Sequence, residues 1–359
     1  SMNYGILTYL ENNSVLDPPV LWTRKKENPI PGTFSGIRPA DYRMTPPYEE
    51  EPGEGNAWVE VAPSFNDELV LETFAGKAVE YINEYAASDR EQPFFLYFPL
   101  TSPHLPHCTH PDFRGVSECG NYGDFMTETD YRVGQVLDVL AKNGLEQNTL
   151  VIFSSDNGAE TNYAYQRDVH DHYCSYHFKG GKRDIYEGGH HVPFLMRWPA
   201  LIEAGLSCDI PVCQTDLFAT IADIVDYDIT DPVAEDSYSL LPVLKNELYD
   251  AQIRGPLIHH SSRGYFAIRD GEWKLNLLRG SGGSLEPRFI IPGPEEAKYE
   301  LYNIADDPGE TNNLYWDYPE IVDSLENKFK DIILNGRSTP GESQPYVKEN
   351  WPQLKALNL

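Results

Sequence analysis

The chain has 359 residues, 40 % of them hydrophobic, which is enough to bury a large core. Its 56 acidic against 28 basic side chains give a formal net charge of −28, a sign that repels phosphate backbones and excludes nucleic acid as a partner while favouring solubility and cation capture. No run of about 18 apolar residues reads as a membrane span, the opening residues lack the charged-then-apolar pattern of a leader, and the five cysteines form no C-x-x-C pair.

In chain order, residues 1–63 read as irregular, broken by Pro18-Pro19, Pro29, Pro31, Pro46-Pro47 and the acidic run Glu49-Glu50-Glu51. A stretch of that length is expected to wrap over something or to have joined something. Ser64 with Asp67 reads as a helix cap, and Leu71, Phe74, Ala78, Ile82 and Tyr85 follow at helical spacing. Phe94-Phe95-Leu96-Tyr97-Phe98 predicts a buried strand that runs into a rigid loop, Thr101 to Pro106, carrying His104. A second helix is predicted over 124–142, with Tyr131, Val133, Val136, Leu137 and Leu140 inward and Asn143-Gly144 closing it.

Thr149 to Phe153 predicts a short buried parallel strand that stops at Ser154-Ser155-Asp156-Asn157-Gly158. An acid and an amide thus sit at a strand's carboxyl end, where open α/β sheets put their ligand crevice. Two such oxygen donors suit a hard cation, calcium or magnesium; the same residues also make an ordinary turn. A polar, histidine-rich loop over 159–183 precedes a strand at 192–198 and a helix at 215–225 with Leu217, Phe218, Ile221 and Ile224 on one face. Tyr265 to Leu275 predicts a hairpin around Asp270-Gly271, and 318–334 a helix with Ile321, Leu325, Phe329 and Ile333 inward. The alternation predicts an α/β fold, a mostly parallel sheet flanked by helices over 1–249, followed by a small α+β domain over 250–359.

Eight of the ten histidines fall between His104 and His191, the span that also holds Asp156, Asn157 and Lys182. Histidine supplies a proton donor near neutral pH and lysine a fixed positive charge, the needs of an anion site. Four segments then resemble the sulfatase family, the arylsulfatases in particular. Lys179-Gly180-Gly181-Lys182 through Glu187-Gly188-Gly189-His190-His191-Val192-Pro193 is similar to its lysine-bearing segment, and Ser154 to Gly158 to its second metal-ligand pair. Phe94 to Tyr97 with Pro103-His104 resembles its substrate-histidine loop. The tail is similar in Glu300-Leu301-Tyr302-Asn303, Asp307 to Leu314 and Gly336 to Pro340.

The resemblance implies an alkaline-phosphatase-like fold and calcium bound by Asp156 and Asn157. His104 and Lys182 would hold the sulfate group and help the leaving oxygen depart, with His172 and His191 at the rim of the substrate site. A sulfated sugar or other sulfate ester is the implied substrate, and the periplasm or the outside of the cell the implied location. Three parts of the family pattern are missing: no cysteine or serine is followed by x-Pro-Ser/Ala-Arg, the source of the formylglycine nucleophile; the paired metal aspartates have no counterpart; and a Gly-Lys-x-His segment is absent. The sequence is therefore expected to be a truncated sulfatase, inactive alone and binding calcium weakly or not at all. A non-catalytic sulfate or sulfated-glycan binding protein is the alternative. The gap left by missing strands is expected to be narrowed by shifted strands, covered by residues 1–63, or filled by a second chain or copy. A zinc site at His104, His107, Cys108 and His110 is a further alternative.

Overall fold

The computed structural model describes residues 6–24, 58–89, 91–105, 107–160, 163–230, 233–247, 254–344 and 351–355. They separate into two compact units, Ser1–Gln147 with Glu160–Cys174 and Asn148–Ala159 with Ser175–Leu359. Residues 175–249 therefore belong with the C-terminal sheet, across the expected boundary at 250.

In the first unit, β1 (Leu10–Glu11) and β2 (Ser14–Val15) form a small hairpin, and β3 (Leu21–Arg24) pairs antiparallel with β4 (Trp58–Val61). The prolines and glutamates of 29–51 lie outside the described residues, and with them most of the expected covering segment. Helix α1 (Val70–Ala86) buries Leu71, Ala78 and Ile82 on the face that the spacing predicts. Its start differs: a 3-10 turn, Asp67–Leu69, begins the element, and the Asn66 side chain accepts from the Glu68 N–H at 3.0 Å. Ser64 lies too early to cap that turn and instead donates its N–H to Asp17 at 2.8 Å.

Helix α2 (Gly120–Lys142) buries Phe125, Val139 and Leu140, but Tyr131 faces outward and a charged pair takes the inward face. Arg132 donates twice to Glu128 Oε1 at 3.3 Å, and Glu128 Oε2 accepts the His110 N–H at 2.8 Å. A buried carboxylate needed those donors, so pairing overrode hydropathy. Helix α3 (Tyr163–His170) forms within the predicted polar loop; only Gln166 of it is buried, which leaves no apolar period to read. The Phe94–Phe98 stretch keeps the two-residue alternation of a strand, with Phe94 against Tyr81 and Tyr85 and with Phe95 and Tyr97 74 % and 77 % exposed. It enters no ladder among the described residues. The expected buried strand is thus half-buried on one side and exposed on the other.

In the second unit, β5 (Val151–Ser154) pairs antiparallel with β6 (Phe194–Arg197). The ladders of the described residues are antiparallel, apart from a single parallel bridge between Leu7 and Val61. This corrects the parallel reading of β5: its described neighbour returns through the 155–193 loops, and the Phe94–Phe98 stretch supplies no ladder. A short helix α4 (Glu187–His190) precedes β6, and α5 (Asp216–Ile224) follows it. Ala219, Thr220 and Ala222 are inward on α5 while Phe218 is exposed, contrary to its apolar spacing. The rotation is set by buried Asp216, whose carboxylate accepts from Cys213 N, Tyr238 N and Arg254 Nη2 at 2.8, 3.1 and 3.2 Å. A short α6 (Leu241–Leu244) comes next.

The C-terminal sheet is antiparallel, in the order β10 (Glu300–Asn303), β9 (Trp273–Asn276), β8 (Phe266–Asp270), β7 (Leu257–His260). Gly271, at φ 60°, supplies the left-handed residue of the two-residue β8–β9 loop. Because side chains alternate along a strand, Phe266, Ile268, Leu275 and Leu301 pack on α7 (Pro319–Asn335) through Val322, Leu325 and Phe329. Ala267 and Tyr302 point the other way and pack on Ile185 and Tyr186. Both faces are therefore buried, and the second is the floor under the Lys182 loop. No helix among the described residues is long and apolar enough to cross a membrane.

Candidate functional site

Three turns of the second unit meet backbone to backbone. Asp156-Asn157-Gly158 ends β5, Lys179 to Asp184 forms the lysine loop, and Glu187-Gly188-Gly189 opens α4. Gly158 N donates to Gly189 O at 3.0 Å, Lys182 N to Ala159 O at 2.7 Å, and Gly188 N to Lys179 O at 2.8 Å. A Cβ on Gly158 would lie 1.8 Å from Gly188 O, so the approach requires glycine there. Local bonds fix the β5 end: Ser155 Oγ donates to Asn157 O at 3.0 Å, and Gln214 Nε2 donates to Ser155 O at 2.5 Å. Asp156 is exposed, and Asn157 and Lys182 are half-buried. The lysine loop is tied down by buried Asp184, which accepts Gly181 N at 3.0 Å, Ser284 N at 2.6 Å and Leu285 N at 3.0 Å.

Beneath these turns lies an ion network that the sequence reading missed. Lys274, fully buried, donates to Glu187 Oε1 at 2.9 Å and Ile185 O at 3.0 Å, and stands 3.0 Å from Glu310 Oε1. Arg269 and His191 both reach Glu187 Oε2, at 2.7 and 3.1 Å, and Glu310 Oε2 accepts the Glu187 N–H at 2.6 Å. Burial by itself would raise the Glu187 carboxyl, but Lys274, His191 and Arg269 outweigh it and hold it well below the usual carboxylate range. Burial pushes Glu310 up, and Lys274 offsets that only in part. Lys274 therefore favours the ionised form of Glu187 more than that of Glu310. Lys274 was hidden because strand alternation beside Leu275 reads equally as a solvent-facing position; Glu310 was seen only as part of the tail resemblance.

Of the sequence-predicted residues, Asp156, Asn157, Lys182 and His191 belong to this cluster of turns. His191 stacks on Phe178 at 4.1 Å, and its Nδ1 must carry the proton because Glu187 accepts. His104 and His172 belong to the first unit. His104 Nδ1 likewise donates, to Leu105 O at 2.6 Å, while His172 donates its N–H to Gln166 O at 3.1 Å and lies beside Tyr122.

Metal ligation finds little support in the donor set. Among the described residues no three His, Cys, Asp or Glu side chains converge as a metal cage, and Asp156 with Asn157 falls short of the roughly six to eight oxygens that calcium takes. The zinc alternative fails on the same ground: His107 packs on Tyr122 and Phe125, Cys108 Sγ donates to Asp67 at 3.3 Å, and His110 caps the following turn. What the arrangement offers chemically is a lysine held beside a polar strand end, a fixed positive charge for an anion.

Comparison with known proteins places the chain in a family. The family model described as Sulfatase matches residues 23–227. The chain is 28 % identical over 272 residues to an N-acetylgalactosamine-6-O-sulfatase of Bacteroides thetaiotaomicron, spanning 75 % of this chain and 52 % of that protein. It is 35 % identical over 292 residues to the steryl-sulfatase of Rattus norvegicus, spanning 77 % and 49 %. A solved structure from the glycosaminoglycan-metabolising locus of Bacteroides thetaiotaomicron superposes with a TM-score of 0.63 at 26 % identity, covering 77 % of this chain and 57 % of that one. The chain thus spans about half the length of the curated relatives it matches. The structural neighbours have the alkaline-phosphatase-like α/β fold, and the family is generally metal-dependent. With the family model matching more than half of its length, the chain belongs to the sulfatase family.

Proposed function

We propose that this chain carries the sulfate-holding part of a sulfuric-ester hydrolase acting on a sulfated sugar or aryl sulfate, and that it turns over no ester by itself. The observation that carries this reading is the bonding of the Lys182 loop to the β5 end through Lys182 N–Ala159 O and Gly158 N–Gly189 O. Lys182 supplies positive charge to a sulfate oxygen, and Asp156 with Asn157 would contribute two oxygen ligands to a calcium ion whose remaining ligands these residues do not provide. His191, oriented by Glu187, lines the substrate rim. The role of His104 in holding the sulfate and helping the leaving oxygen depart rests on the Pro103-His104 motif, and that of His172 at the rim on its place in the histidine-rich stretch.

Inactivity follows from the sequence, since no cysteine or serine stands in the x-Pro-Ser/Ala-Arg setting. The same feature favours a second reading, a binding protein that grips sulfate or a sulfated glycan without cleaving it. The exposed Phe95 and Tyr97 support a further element lying over that face of Phe94–Phe98, from another segment or another chain. An aryl sulfate assay with added calcium is expected to give no turnover, and sulfate binding followed by calorimetry is expected to weaken by about tenfold in Lys182→Ala. Turnover that disappears with Lys182→Ala would overturn the inactivity, and unchanged sulfate binding would overturn the site.

A further inference from the structure

A short ridge of rings leads into the Lys182 loop. Phe178 directly precedes Lys179, and its ring stacks on His191 with 4.1 Å between centres and 20° between planes. Tyr176 meets Phe178 in a T-shaped contact at 5.9 Å and lies 4.1 Å from the ring of His177. The backbone holds this ridge in place: Phe178 N donates to Ser175 O at 3.0 Å, and Lys179 O accepts Gly188 N at 2.8 Å. Glu187 fixes the His191 ring through Nδ1 at 3.1 Å. The series therefore runs outward from His191, at the rim of the Lys182 site, to Tyr176.

The outer member stands out in two respects. Tyr176 is 65 % exposed, and its φ of 52° lies in the left-handed region, where a bulky side chain is disfavoured. Asparagine or aspartate in that conformation gains a local hydrogen bond, and glycine has no Cβ to clash; a phenol ring has neither relief. Burial does little to offset the cost, because most of the residue faces water. Strain of this kind gathers at ligand sites, where the surroundings hold it. An exposed tyrosine with only two χ angles is a rigid, amphipathic face that loses little freedom when something covers it. Such a face suits the C–H side of a pyranose or the plane of an arene, while the attached sulfate takes the lysine charge. An acyclic sulfate ester would leave the ring uncovered.

We propose that Tyr176, backed by Phe178 and His191, is the platform for the ring that carries the sulfate, so that the site selects cyclic sulfate esters over acyclic ones. This rests on the Lys182 reading and adds the shape of the substrate to it. The test measures dissociation constants by ligand-observed NMR for N-acetylgalactosamine 6-sulfate, phenyl sulfate and methyl sulfate. The full chain is expected to prefer a cyclic ester over methyl sulfate by about fivefold. Tyr176→Gly, which removes the ring and relieves the backbone, should abolish that preference and leave methyl sulfate unchanged; Tyr176→Phe should keep it. A preference for the sugar names a saccharide sulfate, and one for phenyl sulfate alone an aryl sulfate. No preference in the full chain, a preference that survives Tyr176→Gly, equal weakening of methyl sulfate, or loss in Tyr176→Phe would each overturn the proposal. Lys182→Ala keeps the two readings apart. Methyl sulfate binding that ignores this substitution overturns the Lys182 reading and the platform with it; binding that needs Lys182 but gains nothing from a ring overturns the platform alone.

Discussion

The β7–β10 sheet and the β5–β6 ribbon are built from similar apolar residues, yet Ile268, Leu275 and Leu301 are sealed at 0 % exposure while Leu195 and Phe153, paired across the ribbon, stand 62 % and 39 % exposed. The larger sheet has α7 on one face and the Ile185–Tyr186 loop on the other, so each strand residue has a place to be buried. Among the described residues the ribbon has one ladder and one unburied face. The turns of the candidate site sit at the end of the less complete element and are held by the more complete one. Rigidity at Lys182 therefore comes from Lys274, Glu187, Asp184 and Glu310, supplied or buried by the C-terminal sheet, more than from β5.

The comparison breaks most readily at Lys274. Lys274→Met leaves Glu187 and Glu310 facing each other in a buried site, and urea unfolding should show a loss of about 3–5 kcal/mol. Adding Glu310→Gln should return part of that loss; a loss below about 1 kcal/mol would mean that the platform does not depend on the network.

A second test uses pH. Burial first, and Lys274 second, lower His190 to about 4, and its ring lies 4.2 Å from His259, which burial also lowers well below its usual value. Groups held neutral in the fold give stability that is complete above the unfolded pKa near 6.5 and lost as the solution falls toward the folded value. For His190 the loss should approach about 3 kcal/mol by pH 4. Glu187, being depressed, contributes stability that is complete above its unfolded value near 4.5 and is lost as pH falls below that toward its folded value; raised Glu310 acts oppositely, its contribution present at low pH and lost as pH rises through its folded value. Thermal unfolding from pH 7.5 to 4 is the measurement, and His190→Gln should flatten the upper part of the profile.

The smallest expected effect sharpens the contrast from the other side. Leu195→Lys, on the open face of the ribbon, should change stability by no more than about 0.5 kcal/mol, whereas Leu275→Ala in the sealed sheet should cost about 2–5 kcal/mol. A large loss at Leu195 would show that its face is covered in solution.

Much of this was legible beforehand where a local rule acts alone. The α1 face, the Asp270-Gly271 hairpin and the extent of α7 follow from spacing and turn chemistry, and the Asp156-Asn157-Gly158 turn from composition. The reading failed where one buried polar group needed a partner: Glu128 serving His110 turned α2, Asp216 holding Arg254 turned α5, and Asn66 replaced Ser64 as the cap. The family resemblance reached Lys182 and His191 but not the support beneath them.

Sequence by itself determined the family, the acidic surface and the turn residues whose identity a tight backbone demands, because those depend on residue type and nearest neighbours. Tertiary structure alone decided that Lys274 lies between two glutamates from distant segments, that Gly158 meets Gly188 with no room for a side chain, and that Asp216 pairs with Arg254. Each of these is a meeting of residues far apart in the chain, and their energies come from exclusion of water, which no local pattern encodes.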